Sequence, residues 1–227
     1  MSEMAAPGIL DQTELRCRII DTALMLGVER GWDGFHLHDL AARLDIGMAD
    51  IARHFAGKDA IAEAWFERAD AALLAAPQAP GWSFLSPRQR LQRAIFAWLQ
   101  ALAPHRQLAA EMLRYKLQPE HVHLQVQGAL RVSRTVQWIR EVALLPATGW
   151  RRECEEAALT AIYLATFACW LRDDSPDSSR THDLLDRLLA RAEWLAGWLA
   201  GSERGAAPAS RSGAAPSRAG NGAAGGG

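Results

Sequence analysis

The sequence predicts an all-α protein of about nine helices, with a small N-terminal three-helix part and a larger C-terminal helical part. Three observations lead there. Apolar residues recur at helical spacing through most of the chain, and no stretch alternates convincingly with the period of a strand. Pro77, Pro80, Gly81 and Pro87 cluster between Ala75 and Pro87 and mark a joint. The last 27 residues, Gly201 to Gly227, hold no Val, Ile, Leu or aromatic residue. Such a segment cannot bury enough surface to offset its ordering entropy, so it is expected as a disordered tail. The resulting division is 10–75, 76–200 and 201–227.

The elements follow in order. Thr13 to Arg30 places Leu15, Ile19, Ala23 and Leu26 on one stripe and stops at Gly31. Two short helices come next, Leu37 to Leu44 and Met48 to Phe55, with Gly47 between them as a turn or cap. A longer helix covers Lys58 to Ala75. Ser86 is the N-cap and Pro87 the first residue of a helix reaching Ala103. His105 to Leu117 and Pro119 to Leu145 are bounded by Pro104, Pro119 and Pro146. Arg151 to Arg172 carries Leu159, Ile162, Tyr163, Thr166, Phe167 and Trp170 on one broad apolar face. Ser175-Pro176-Asp177 then supplies an N-cap, a first-turn Pro and an acid suited to the helix dipole, opening a last helix to about Ala200. Its Leu184, Leu185, Leu188, Leu189, Ala192, Leu195 and Leu199 form a second apolar face. Two such faces are hard to satisfy together inside one small helical domain, so they form an ordinary intrachain core or are covered by a second copy in a homodimer.

Composition narrows the function classes. The 227 residues include 25 Lys and Arg against 26 Asp and Glu, with 49% apolar and 22% charged residues, so the chain is neither wholly disordered nor a generally basic nucleic-acid coat protein. No apolar run approaches the roughly 18 residues of a membrane span, and Met1 to Leu10 lacks the cations and apolar core of a secretory signal. A cytoplasmic location without integral membrane association is expected. Cys17, Cys154 and Cys169 are too few and scattered for disulfides or zinc. No Gly-rich phosphate loop, nucleophile elbow or metal-spaced cluster is present, which argues against an enzyme and against a cofactor. His36 and His38, two residues apart, do not share a helix face and read as a helix start rather than a metal pair.

The segment "RIIDTALMLGVERGWDGFHLHDLAARLDIGMADIARHFAGKDAIAEAWFERAD" resembles the TetR family of bacterial transcriptional regulators over Arg18 to about Asp70. Its carriers are "ERGWDGFHLHDLAARLDIG" and "ARHFAGKDAI", the latter with His54, Phe55, Gly57 and Lys58 in the family's His-Phe-x-x-Lys ending. The resemblance implies a helix-turn-helix domain whose recognition helix lies within Leu44 to Phe55, a ligand-binding and dimerisation domain behind it, and operator DNA as partner. His36, His38 and Lys58 would then meet phosphates and Phe55 would pin the recognition helix to the core. The candidate DNA-binding set is His36, His38, Arg43, Gly47, Met48, Asp50, Ile51, Arg53, His54 and Lys58. The chain departs from the family where Gly47, Met48, Ala49, Asp50 and Ala52 stand. The usual Tyr two residues before the His is absent, and Asp50 replaces a small hydroxyl residue. Asp50 either accepts from a cytosine amino group or repels phosphate. Charge sharpens the question: residues 1–60 hold six Lys and Arg against ten Asp and Glu, a net of −4, while 61–200 carry +1 and the tail +2.

By the same resemblance a pocket for a small apolar or aromatic ligand lies among the helices from Pro87 to Trp170, with Trp98, Met112, Tyr115, Trp138, Phe167 and Trp170 as candidate lining residues, each of which core packing explains at least as well. A second resemblance sits in "AALTAIYLATFACWLRDDSPDSSRTHDLLDRLLARAE". It is similar to the C-terminal end of the TetR-fold lipid-binding accessory protein of ubiquinone biosynthesis, through Ala-Ile-Tyr, Asp-x-Ser-Pro-Asp, a Thr and a Leu-x-x-Arg. That likeness implies an isoprenoid lipid as ligand and a fold that no longer reads DNA. The membrane-docking amphipathic helix of that family is not evident after Leu199.

Overall fold

The computed structural model describes residues 7–116 and 122–206. Among them are nine α-helices and no strand. They are α1 (Pro7–Arg30), α2 (Leu37–Leu44), α3 (Met48–His54), α4 (Lys58–Ala75), α5 (Pro87–Leu102), α6 (Arg106–Lys116), α7 (Val122–Val142), α8 (Trp150–Trp170) and α9 (Ser179–Ala206).

The N-terminal part closes around Ile19, Ala23 and Leu26 of α1, Leu40 of α2, Ile51 of α3 and Ile61 and Trp65 of α4, all buried. Gly31 ends α1 with φ +80°, a left-handed turn that glycine adopts without cost. One turn earlier, Gly27 lets α1 and α6 touch: a Cβ there would lie 2.9 Å from Leu108 Cδ1. The expected joint after α4 is no open linker. It carries two short 3-10 turns, Ala76–Gln78 and Trp82–Phe84, and Trp82 is buried within it.

The second half packs onto α4. Asp70, on α4, is buried, and its Oδ1 accepts from Trp98 Nε1 of α5 at 2.9 Å and from the Thr135 hydroxyl of α7 at 3.0 Å. Its Oδ2 accepts from Arg131 Nη2 of α7 at 3.1 Å. Burial, with the Asp70 charge nearby, pushes the Tyr163 phenol well above its ordinary value. α5 opens as its sequence requires: Ser86 Oγ accepts from Gln89 N–H, and the Gln89 side chain accepts from Ser86 N–H at 2.9 Å.

Four boundaries differ from expectation. α1 begins at Pro7 rather than Thr13. α7 stops at Val142 because Leu144 turns left-handed at φ +57°; Leu117 to His121 lie outside the described residues. Before α9, Pro176–Ser178 form a 3-10 turn with Asp177 at φ +52° and Ser178 at +54°. Asp177 therefore does not sit in the first turn of the helix. Finally, α9 runs to Ala206, six residues into the expected tail; Ala207 to Gly227 lie outside the described residues.

Asp173, not Asp177, organises the α8–α9 corner. One carboxylate oxygen accepts from the Ser175 N–H at 3.0 Å and from the Ser175 hydroxyl. The other accepts from the Thr181 N–H at 2.8 Å and its hydroxyl at 2.6 Å. Arg106 at the start of α6 donates to the Asp173 carbonyl and to Ser178 Oγ, and lies over the Trp170 ring at 4.6 Å. Burial pushes the Asp173 carboxyl up, but the four hydrogen bonds outweigh it and hold the group well below the carboxylate range.

Because the folded pKa is depressed, this contribution to stability is complete above the unfolded value of about 3.9 and is lost as pH falls toward the folded value. Asp173→Ala should cost about 2–3 kcal/mol at neutral pH, since it strands buried donors. Urea denaturation checks this, and the gap between wild type and variant should narrow below about pH 4.

Candidate nucleic-acid interface and neighbouring cavities

α2 starts at His36, whose N–H donates to Asp39 Oδ2 at 2.8 Å. That bond holds the Asp39 carboxyl below its ordinary value against the opposing effect of burial, with His38 and Arg30 adding smaller contributions. The His36 and His38 rings stack at 5.3 Å, both exposed. Among the described residues no group of His, Cys, Asp and Glu could hold a metal ion. α2 ends with Asp45 in the left-handed region at φ +55°, and Ile46 N–H donates to the Ala41 carbonyl at 3.1 Å. This turn sends α3 off across α2, in the geometry of a helix-turn-helix.

α3 is a seven-residue helix with one buried anchor. Ile51 is 1% exposed and Phe55, just past its end, is 4% exposed. Ile51 was expected to face DNA; the structure places it in the core, because it lies on the inward side of α3, the helix that packs on α2. Gly47, Met48, Ala49, Ala52 and Arg53 are exposed, and His54 is half-buried.

Asp50 does something the sequence did not suggest. Its Oδ2 accepts from the Gly47 N–H at 3.0 Å, and its Oδ1 pairs with Arg53 Nη2 at 2.7 Å. The carboxylate therefore caps its own helix and occupies the arginine beside it. Arg43 is likewise engaged, with Nη2 at 2.7 Å from Glu29 Oε2.

Lys58 turns inward. Its Nζ donates to the Phe35 carbonyl at 2.8 Å and lies 4.2 Å from the Phe35 ring centroid and 5.4 Å from that of Trp32. Burial lowers its pKa, with Asp33 and Asp59 acting the other way. The family resemblance placed this amine on a phosphate; here the carbonyl and two aromatic faces hold it against the α1–α2 loop.

The expected ligand residues separate. Trp98, Met112, Phe167 and Trp170 are buried. Trp98 meets Phe167 edge-on at 5.3 Å and Tyr163 at 5.2 Å, and Phe167 stacks on Trp170 at 6.0 Å. Trp138 is 39% exposed and apart from this group, because its position on α7 faces outward. The Tyr115 side chain lies outside the described residues. None of the five described residues lines either of the two cavities found. One, of about 660 Å³, lies between α1, the end of α3, α4 and α7. The other, of about 900 Å³, is a mainly apolar groove between α8, α9 and the α7–α8 loop, with Trp150, Cys154, Leu159, Ile162, Leu188 and Leu195 in its walls.

The face of α8 on which the dimer expectation rested is also already covered. Leu159, Ile162, Tyr163, Thr166, Phe167 and Trp170 are all buried within the chain. What α8 leaves exposed is a different stripe: Ala157, Ala161, Leu164 and Ala165. Trp194 and Leu195 of α9 are exposed at 69% and 50%.

Two family models match the chain: bacterial regulatory proteins of the tetR family over residues 19–65, and COQ9 over residues 155–196. The first covers the helix-turn-helix just described. A TetR transcriptional regulator from Nitrosomonas europaea ATCC 19718 is 40% identical, with 80% of this chain and 99% of that one covered and a TM-score of 0.71. The chain belongs to the tetR family of bacterial regulatory proteins. Two more distant solved structures also match, the TetR-family regulator PfmR from Thermus thermophilus and a tetR-family regulatory protein from Rhodococcus RHA1. They are 20% and 18% identical, cover 76% and 77% of this chain and 97% and 96% of theirs, and have TM-scores of 0.43 and 0.44. No curated protein sequence matches.

The inward Lys58 has a measurable signature. Lys58→Ala should cost about 1 kcal/mol of stability by losing the Phe35 contact. It should leave the slope of log K against log salt for DNA unchanged, whereas Arg53→Ala should reduce that slope by about one. Fluorescence anisotropy against a DNA duplex measures both slopes.

Proposed function

We propose that the protein is a ligand-responsive transcriptional repressor that reads operator DNA as a homodimer, a binding protein rather than an enzyme. The α2–α3 pair carries this reading. Ile51 and Phe55 anchor a short helix whose outer edge, Gly47, Met48, Ala49, Ala52 and Arg53, is exposed and low in relief. Such a helix fits a major groove, with His36, His38 and Arg43 beside it. Asp50 and the local net of −4 weaken the general attraction to phosphate. Affinity then rests on shape and base edges rather than on charge.

The exposed small-residue stripe of α8 and the apolar residues of α9 are the surfaces on which two copies would pair. A small apolar or aromatic ligand in the C-terminal part would select a state in which the two recognition helices no longer match half-sites one DNA turn apart. A ligand that reaches Trp98, Met112, Phe167 or Trp170 requires the helices around them to part. Among the described residues no helix is long and apolar enough to cross a membrane; action on DNA would place the protein in the cytoplasm.

One observation favours a second reading, a lipid-binding protein of ubiquinone biosynthesis. The COQ9 match, residues 155–196, spans both α8 and α9, which wall the 900 Å³ groove. That groove is apolar enough for an isoprenoid chain. The motif shared with that family has a local explanation, however: Asp173, Ser175 and Thr181 bond to one another at the α8–α9 corner.

Salt titration of binding to the protein's own upstream DNA separates the readings. A repressor shows specific binding that weakens with salt; no specific binding at low salt, with isoprenoid lipid co-purifying, sides with the lipid carrier. Asp50→Lys should tighten nonspecific binding about tenfold or more, since it removes an acid and adds a cation at the α3 start. Leu164→Arg should convert a dimer to a monomer, which sedimentation velocity resolves; an unchanged sedimentation coefficient places the interface elsewhere.

A further inference from the structure

The smaller cavity, between α1, the end of α3, α4 and α7, is bounded by three arginines whose partners are imperfect. Arg131, on α7, has a side chain only 9% exposed. Its Nη1 pairs with Glu63 Oε2 at 2.7 Å and its Nη2 with Asp70, but its buried Nε has no hydrogen-bond acceptor. A buried donor in that condition carries an uncompensated desolvation cost. Arg16 of α1 and Arg134 of α7 both approach the carboxylate of Glu67, at 3.7 and 3.8 Å. Those distances are longer than hydrogen bonds, and all three side chains are about half exposed, so both pairs are weak and screened. Beside these cations the wall is apolar, with Phe55, Ala60 and Leu130. Leu130 is 67% exposed, an uncovered aliphatic group at the cavity edge.

We propose that this cavity binds a small organic carboxylate with a short apolar body. The carboxylate meets Arg134 and Arg16 in place of Glu67. The apolar body lies on Phe55 and Leu130. The lining carries Asp59, Glu63 and Glu67 against the three arginines, an even balance, so a carboxylate is accommodated only as Glu67 swings away from Arg16 and Arg134. The volume of about 660 Å³ lies in the range of small-molecule sites. Arg16 also donates to the His54 carbonyl at the end of α3 at 3.2 Å and stacks on Phe55 at 4.5 Å. An occupant that draws Arg16 away therefore loosens the recognition helix at its C-terminus. The binding assignment itself holds whether or not α3 reads DNA.

Calorimetric titration of the full chain with hexanoate and with hexanamide tests it. Hexanoate should bind at least about tenfold more tightly than the neutral amide. Arg134→Gln and Leu130→Asp, both at exposed positions, should each weaken hexanoate about fivefold or more, with melting temperatures used to verify the fold. Absence of hexanoate binding, equal affinity for acid and amide, or hexanoate affinity unchanged in both folded variants would overturn the proposal.

Discussion

A single buried carboxylate holds the two halves of this molecule in one arrangement. Asp70 lies in the middle of α4, and burying its charge without partners would cost several kcal/mol. The cost is met by the indole N–H of α5, the threonine hydroxyl of α7 and the guanidinium of Arg131, also on α7. Removing any partner leaves the others short of a bond, so the three helices keep their mutual position or lose the network together. Since α4 also packs on α1, the position of the helix-turn-helix is referred through Asp70 to α5 and α7.

At the other end of that chain of contacts, the candidate recognition helix is electrostatically self-contained. Asp50 holds its N-terminus and Arg53, Glu29 holds Arg43, and the Phe35 carbonyl holds Lys58. Each cation that a phosphate could recruit has an internal partner that must first be displaced. Two of the ten acids in residues 1–60, Glu29 and Asp50, are placed on arginines of the candidate set.

The helices were legible in the sequence because their apolar spacing is local, and so were the Ser86 cap and the turn at Gly47. The site was less so. Trp98 reads as a pocket residue because an aromatic on an amphipathic helix suits a ligand, but its indole N–H is claimed by an acid 28 residues away. Lys58 reads as outward because it opens a helix; the carbonyl that turns it inward lies 23 residues earlier. Ser175-Pro176-Asp177 reads as a cap and first turn, but the left-handed backbone at 177 and 178 removes Asp177 from the helix start, and Asp173 holds the corner instead. Ile51 is the hardest case: it lies three residues after Met48 and four before Phe55, so helical spacing alone does not separate anchor from reader, and burial does.

The alanines on the outside of α8 have a consequence beyond the surface they leave. Helices that meet across methyl groups approach more closely than helices that meet across leucines, and a bundle's axial separation follows the bulk at its seam. In the proposed dimer, α8 is joined rigidly to α4 through α5 and α7, so that separation sets how far apart the two recognition helices stand. Exchange of Ala161 or Ala165 for a larger aliphatic residue would alter operator spacing without touching any group near DNA. In such a lineage, changes of regulatory target could begin far from the reading head, in the volume of a few side chains at the seam.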